Sequence, residues 1–269
     1  MKIIRTIIAS VKLVLFASWI IVQIPIALVL SPFGRRVGTI QLTIFGIGLA
    51  RILGVRVRAR GEISRIRPLL IVANHISLFE FTALPRITWI NYFGKSELRR
   101  YPLVGWLFHR LGIQFIDRNP ATAATGVELL RAQMAAAPYP FAIFPEGTTT
   151  NGSYILPFKS SMFEFLRDMP NARVQPVTIR YLDLNGNKIP PDILANEYAY
   201  FANERQTQGP FAAREMSAFG TIWRALLRRG FIVDMHIHPV FDAAGLDRKE
   251  IAAALYNIVN EKFMELKNE

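Results

Sequence analysis

The chain reads as an α/β protein: a layered, mostly parallel sheet flanked by helices, with an N-terminal membrane-associated helical hairpin. Three observations predict this. From about residue 55, short apolar runs alternate with helix-length amphipathic stretches, the pattern of βα units, which place functional groups at the carboxyl ends of strands. Two uncharged apolar runs fill most of the first 50 residues and are bracketed by Lys and Arg. Two of the later apolar runs stop abruptly in polar corners, at Asn74-His75 and at Pro145-Glu146-Gly147.

The hairpin comes first. Leu13 to Leu30 is an uncharged run of 18 residues, interrupted mildly by Gln23 and Pro25. As a helix it measures about 27 Å, just short of the ~30 Å hydrocarbon core of a bilayer. Ser31-Pro32-Phe33-Gly34-Arg35-Arg36 breaks it. A second uncharged run, Val37 to Ala50, has 14 residues, roughly 21 Å and too short to cross unaided. Lys2, Arg5 and Lys12 precede the pair, Arg35 and Arg36 separate its members, and Arg51, Arg56, Arg58 and Arg60 follow. A spanning hairpin would carry Arg35 and Arg36 to the opposite side, against the positive-inside tendency. A re-entrant or interfacial hairpin keeps every positive charge by the cytoplasmic headgroups. Residues 1–54 therefore read as a membrane-embedded, non-crossing pair, with one or two true spans as the alternative, and residues 55–269 as the α/β domain. No small-residue cleavage site follows Leu30, so a signal peptide fits poorly.

Within the domain, 69–73, 87–93, 113–116, 141–144, 174–181 and 232–240 are apolar runs of strand length. Between them 102–111, 121–137, 160–167 and 219–229 read as helices. Residues 247–266 close the chain as an amphipathic helix, with apolar side chains at 251, 255, 258, 259 and 263. Asn185-Gly186 is a turn signal. Residues 183–218, rich in Pro, Asn and Gln, carry no assignable pattern.

Composition narrows the function. The 269 residues include no cysteine, which removes disulfides, thiolate metal sites and a cysteine nucleophile together. The net charge of +12 is uneven: residues 1–135 hold 18 Lys/Arg against 5 Asp/Glu, whereas residues 136–269 hold 14 against 15. The basic half is also the apolar half, which points to an anionic membrane surface rather than nucleic acid. No nucleic-acid fingerprint accompanies the charge. The chain lacks a Gly-x-Ser-x-Gly elbow, a nucleotide-phosphate loop and a paired-glycine fingerprint after a strand.

The polar corners carry the chemistry. His75 and Glu80 are five residues apart, about 140° around a straight helix, so they would share no face there. On a turn leading into a helix they can meet. A carboxylate on one imidazole nitrogen fixes the tautomer and leaves the other nitrogen to take a proton from a hydroxyl. The alternative is a capping Asn74 followed by an ordinary surface His and Glu. At the second corner, Gly147 removes the side chain where a ligand approaches the backbone, and successive N–H groups can cup an anionic oxygen; a wide connecting loop would look the same. Arg118 directly follows an expected strand, a good position for a guanidinium that clamps a phosphate, or for a salt bridge with Asp117. His236 and His238 would share one face of a strand, with a core or rim role favoured over metal binding. Arg224, Arg228 and Arg229 form a basic group suited to an acidic carrier or to coenzyme A phosphates, or simply to a solvated face.

Four blocks in register resemble the 1-acylglycerol-3-phosphate acyltransferases and related glycerolipid acyltransferases. They are Asn74-His75-Ile76-Ser77 with Glu80, Gly112 to Arg118, Phe144-Pro145-Glu146-Gly147-Thr148, and Val174 to Ile179. The resemblance implies acyl transfer from a thioester, acyl-CoA or an acyl carrier protein, to the free hydroxyl of a lysolipid in phospholipid synthesis or remodelling. It implies no metal and no cofactor beyond that co-substrate, membrane lipids as partners, and a place on the cytoplasmic face of a bacterial inner membrane. His75 would be the base and Glu80 its orienting acid. Backbone N–H groups near Gly147 and Thr148 would receive the oxyanion, and Glu146 would organise that corner or contact the acceptor. Arg118, with Lys95, would hold phosphate. Two departures stand out. The first-block acid is usually Asp, one methylene shorter than Glu80. After the third block, lysophosphatidate enzymes often carry Arg where this chain has Thr149. That variant looks more like members acting on lysophosphatidylethanolamine, lysophosphatidylcholine or lyso-ornithine lipid. A catalytically silent lipid-binding relative is a further alternative, against which the intact His75/Glu80 pair argues.

A non-crossing hairpin keeps its tip on the cytoplasmic side. Single cysteines introduced at residues 33 and 34 are expected to resist an impermeant thiol reagent added to intact cells; labelling there would show that the helices cross.

Overall fold

The computed structural model describes residues 2–95, 104–116, 123–198 and 218–269. The hairpin is a 29-residue helix α1 (Lys2–Leu30) and a 19-residue helix α2 (Arg35–Leu53), joined by a 3-10 turn at Ser31–Phe33. Helix α1 starts earlier than the uncharged run because Lys12 does not end it: the Lys12 ammonium donates to the Arg228 carbonyl at 2.9 Å, while Ile3, Ile7 and Val11 keep the flanking turns apolar and exposed.

Seven strands follow among the described residues: β1 (Val55–Arg60), β2 (Leu69–Ala73), β3 (Asn91–Lys95), β4 (Gln114–Ile116), β5 (Phe141–Ile143), β6 (Arg173–Leu182) and β7 (Phe231–Ile237). They form one sheet in the order β1-β7-β6-β2-β5-β3-β4. Every neighbouring pair is parallel except β6 and β7. The sheet is thus mostly parallel, as the alternating pattern predicts.

Helices cover both faces. On one side the hairpin packs with α3 (Glu80–Ala83), α4 (Val104–Arg110) and α7 (Ala218–Leu227); on the other lie α5 (Ala123–Ala136), a 3-10 stretch at Ser160–Leu166 and α8 (Arg248–Asn268). A short helix α6 (Pro191–Glu197) falls inside the stretch that carried no pattern. Strand β2 shows how the layers meet. Ile71 and Ala73 point into the hairpin-side core, and Leu70 and Val72 into the opposite one. Alternate side chains face opposite ways, so a strand buried on both faces reads as an unbroken apolar run.

The two hairpin helices differ in their surroundings. Both are long and apolar enough to cross a membrane, α2 against expectation because its helix runs past the 14-residue uncharged stretch at both ends, from Arg35 to Leu53; but only 11% of the apolar window of α1 is buried, against 56% for α2. Helix α1 leaves Ile3, Ile7, Val14, Ile21 and Val29 exposed along its length. Helix α2, by contrast, is bonded into the domain. Thr39 bonds to Asn91 Oδ1, and the Ile90 N–H donates to Thr43 Oγ1 at 3.4 Å. The Trp19 indole N–H donates to the Phe45 carbonyl at 3.0 Å, and a Cβ at Gly48 would fall inside that indole, so the two helices meet backbone to ring. One core contains Ala27 of α1, Leu42 of α2 and Ile71 of the sheet.

Several boundaries differ from the sequence reading, each for a local reason. Strand β1, which the reading omits, carries Arg at alternate positions on an exposed face of an edge strand. The strand expected at 87–93 starts at Asn91, because a 3-10 turn at Leu84–Arg86 and bends up to Ile90 come first. The stretch at 160–167 is 3-10 rather than α. Helix α8 begins where Asp247 caps it: Asp247 Oδ1 accepts from the Lys249 and Glu250 N–H groups, and Glu250 returns a bond to the Asp247 N–H.

Candidate active site

Strands β2 and β5 are parallel neighbours, so both polar corners emerge at one edge of the sheet. Asn74 fixes the first. Its amide donates to the Ile179 carbonyl at 2.9 Å, and its Oδ1 accepts the Ile179 N–H at 2.7 Å, carrying the β2–β6 pairing past the end of β2. Asn74 is 2% exposed; it locks two strands together and is not a surface cap.

The next residue is held by the other corner. The His75 N–H donates to Glu146 Oε1 at 2.6 Å, and the His75 carbonyl accepts the Thr150 N–H at 2.9 Å. Both main-chain groups of His75 are therefore satisfied by the loop after β5. Its ring stacks on Phe144, with centroids 4.3 Å apart and planes at 18°.

Glu80 opens α3, and the turn between brings its carboxylate back to the imidazole. His75 Nδ1 lies 3.2 Å from Glu80 Oε2. The same carboxylate accepts the Ile76 N–H on Oε1 and the Ser77 N–H on both oxygens, each at 3.1 Å, and the Tyr181 hydroxyl on Oε1 at 2.6 Å. The backbone N–H groups can only donate, so the carboxylate is set up as an acceptor throughout. With Nδ1–H donated to Glu80, the lone pair of Nε2 is left on the other side of the ring. The Glu80 side chain is fully buried and that of His75 is 24% exposed, so the relay has a dry end and an open end.

Glu146 is the second buried carboxyl, 1% exposed. Its Oε2 accepts the Leu156 N–H at 2.8 Å, so the side chain ties its loop to His75 at one end and to Leu156 at the other. Burial pushes it up to about 8; the bonds from Leu156 and His75 pull the other way, and the charge of Glu80 adds to the rise. Glu146 thus holds its proton more readily than an exposed carboxyl.

Gly147 adopts φ +70, and a Cβ there would lie 2.6 Å from Lys159 Nζ. Its N–H donates to the Phe144 carbonyl at 3.0 Å and closes the turn. Of the expected backbone oxyanion donors, that leaves the N–H at Thr148; the Thr148 hydroxyl, not part of that expectation, is buried with no partner among the described residues. Thr149 is 4% exposed. Lys95 ends β3, its backbone opposite Ile116, at the same sheet edge as His75; its side chain, and all of Arg118, lie outside the described residues.

The other singled-out residues lie apart. His236 and His238 pack ring to ring with centroids 4.8 Å apart. The Thr178 hydroxyl donates to the Val259 carbonyl, so His238 Nε2 donates to Thr178 Oγ1 at 2.8 Å. Burial, then His236 and Lys262, push His238 down to about 4. Among the described residues no group of three or more ligating side chains could hold a metal. Arg228 donates to the Tyr198 hydroxyl at 3.2 Å and lies over that ring. Sequence reading missed Tyr181: it is 101 residues from Glu80, and its only signal is sharing the inward alternation of Val177 and Ile179.

The chain is similar to known proteins across this whole region. Residues 54–180 match the family model described as Acyltransferase. The chain is 31% identical over 206 residues to a lyso-ornithine lipid O-acyltransferase of Pseudomonas aeruginosa, covering 76% of this chain and 70% of that protein. It is 32% identical over 142 residues to the protein of the same name from Rhizobium meliloti, spanning 50% of this chain and about half, 48%, of that relative. The crystal structure of the 1-acyl-sn-glycerophosphate acyltransferase PlsC from Thermotoga maritima shares the fold, with a TM-score of 0.66 at 21% identity over 100% of this chain and 99% of that one. A mostly parallel sheet flanked by helices is thus shared with a solved acyltransferase, and the sequence likeness to lyso-ornithine lipid O-acyltransferases spans the two polar corners. The chain belongs to the acyltransferase family.

Because Glu146 releases its proton near 4.5 when unfolded and near 8 when folded, folding takes up a proton between those values. Its contribution to stability is full below about 4.5 and is lost as pH rises through about 8. Glu146→Gln does not titrate, so urea unfolding across that window should show a flatter dependence than wild type; an unchanged slope would mean Glu146 is ionised throughout.

Proposed function

We propose that the protein transfers a fatty acyl group from a thioester to the free hydroxyl of a lysolipid. The observation that carries this is the contact between His75 Nδ1 and buried Glu80, with the imidazole itself partly open to solvent. An alkyl hydroxyl is a poor nucleophile near neutral pH and needs a base at the moment of attack; such catalysis supplies roughly 10²–10⁴-fold.

The acceptor oxygen attacks the thioester carbonyl carbon as His75 Nε2 takes its proton. Glu80 stabilises the imidazolium. The carbonyl oxygen becomes an oxyanion received at the Thr148 side of the Pro145-Glu146-Gly147 turn, where losing one donor typically costs about 10²–10³ in rate. A Glu146 that keeps its proton adds no charge beside that oxyanion. Collapse breaks the carbon–sulfur bond, the thiolate recovers the proton from Nε2, and ester and thiol leave. Coenzyme A or an acyl carrier protein supplies the thioester.

Lyso-ornithine lipid is the acceptor favoured by the two lyso-ornithine relatives and by buried Thr149, which stands where lysophosphatidate enzymes often place Arg. Lysophosphatidate is the second reading, supported by the basic positions Lys95 and Arg118 in the sequence. The exposed apolar face of α1 and the basic N-terminal half favour work at the cytoplasmic bilayer surface, where both lipid substrates lie.

His75→Ala should abolish transfer while the protein still folds and inserts, and Glu80→Gln should lose less. The assay uses vesicles, labelled acyl-CoA and a panel of lysolipids, and it names the acceptor. Full activity of purified His75→Ala would refute the mechanism.

A further inference from the structure

We infer that Tyr181 is a positioning residue of this same site: its buried hydroxyl, donated to Glu80 Oε1, holds the carboxylate against His75 and limits how tightly the pair binds a proton. The inference rests on the proposed role of His75 as base.

The bond from Tyr181 is 2.6 Å, shorter than any other the Glu80 carboxylate makes among the described residues. Tyr181 sits on β6, 3% exposed, behind the pair. Its ring packs against Phe231 at 5.1 Å and Tyr198 at 6.5 Å. A phenylalanine would serve that packing equally; only the hydroxyl distinguishes tyrosine, and a buried hydroxyl must find a partner. Burial and the Glu80 charge push the phenol well above its ordinary value, so it remains a donor at every working pH.

Among the described residues no Lys or Arg pairs with Glu80, whose one ion-pair partner is His75. Hydrogen bonds therefore carry most of the stabilisation of its charge. The other titratable groups facing Glu80 are Glu146 and Tyr92. Tyr92 spends its proton on the Phe81 carbonyl at 3.3 Å, and Glu146 is bonded to the His75 and Leu156 N–H groups. Neither replaces Tyr181.

Removing this donor makes the pair more basic as a unit, whichever member takes the proton. Reaction needs Nε2 unprotonated. The acid limb of kcat/KM in Tyr181→Phe should therefore move to higher pH by about one unit, with activity down about tenfold below the limb and within about threefold on the plateau. The full chain is assayed in vesicles with palmitoyl-CoA and the lysolipid that the panel selects. Tyr198→Phe, which removes a hydroxyl from the same ring cluster but not from Glu80, should leave the limb in place. Tyr181→3-fluorotyrosine, of nearly the same size but a stronger donor, should move the limb to lower pH and decides the matter if the Phe variant does not fold. A loss that is equal at every pH, an unmoved limb, or an equal shift in Tyr198→Phe would overturn the inference. If His75→Ala is inactive while Tyr181→Phe leaves the limb unmoved, the Tyr181 inference alone fails; an active His75→Ala removes the base reading itself.

Discussion

The site depends on one constraint: both main-chain polar groups of His75 are held by the loop that follows a different strand. Glu146 takes the N–H and Thr150 gives its N–H to the carbonyl. A residue just past the end of a strand would otherwise be free to swing, as loop residues are. Fixed at both ends and stacked on Phe144, the imidazole can turn only about its own side-chain bonds, and Glu80 then settles which nitrogen faces inward. Pairing of β2 with β5 sets the two corners side by side, and Asn74 anchors the first of them to β6. The sheet is in this sense the instrument that aims one side chain, and preorganisation of this kind is what a catalytic group needs.

Much of this was legible in the sequence because its physical causes are local. Strands β2, β5 and β6 are buried on both faces, so they read as apolar runs, and the corners announce themselves where the runs stop. The spacing of His75 and Glu80 excludes a shared face on a straight helix and allows a meeting across a turn, which is where the structure puts it. What was not legible depends on distant partners. Strand β1 alternates Val with Arg because one of its faces is solvated, and its place at the sheet edge is set by β7, more than 170 residues later. Helix α6 is seven residues long, too short to show a period. The role of Asn74 as a strand clamp needs Ile179, and the contact of Tyr181 with Glu80 needs the register of β6 against β2. The Gly147 N–H, a candidate oxyanion donor by position, is used to close its own turn.

The hairpin packs on the same face of the sheet as the inner residues of this corner. Helix α1 leaves most of its apolar side chains outside the domain, whereas α2 uses Thr39 and Thr43 to bond to the residues at the start of β3, and Gly48 to admit the Trp19 ring. The one core that contains residues of both helices also contains Ile71, Ala73 and Tyr181, the inner faces of the strands that carry the site. The hairpin and the strands that carry the site thus form one packed body and not a domain on a tether.

The central claim is that Glu80 fixes the tautomer of His75. Selective ¹⁵N labelling of the histidine rings, with His75 assigned by its loss in His75→Gln, measures this directly. Near neutral pH the account predicts a proton on Nδ1, shifted far downfield by the carboxylate, and a bare Nε2. A His75 protonated on Nε2 with Nδ1 bare would contradict it.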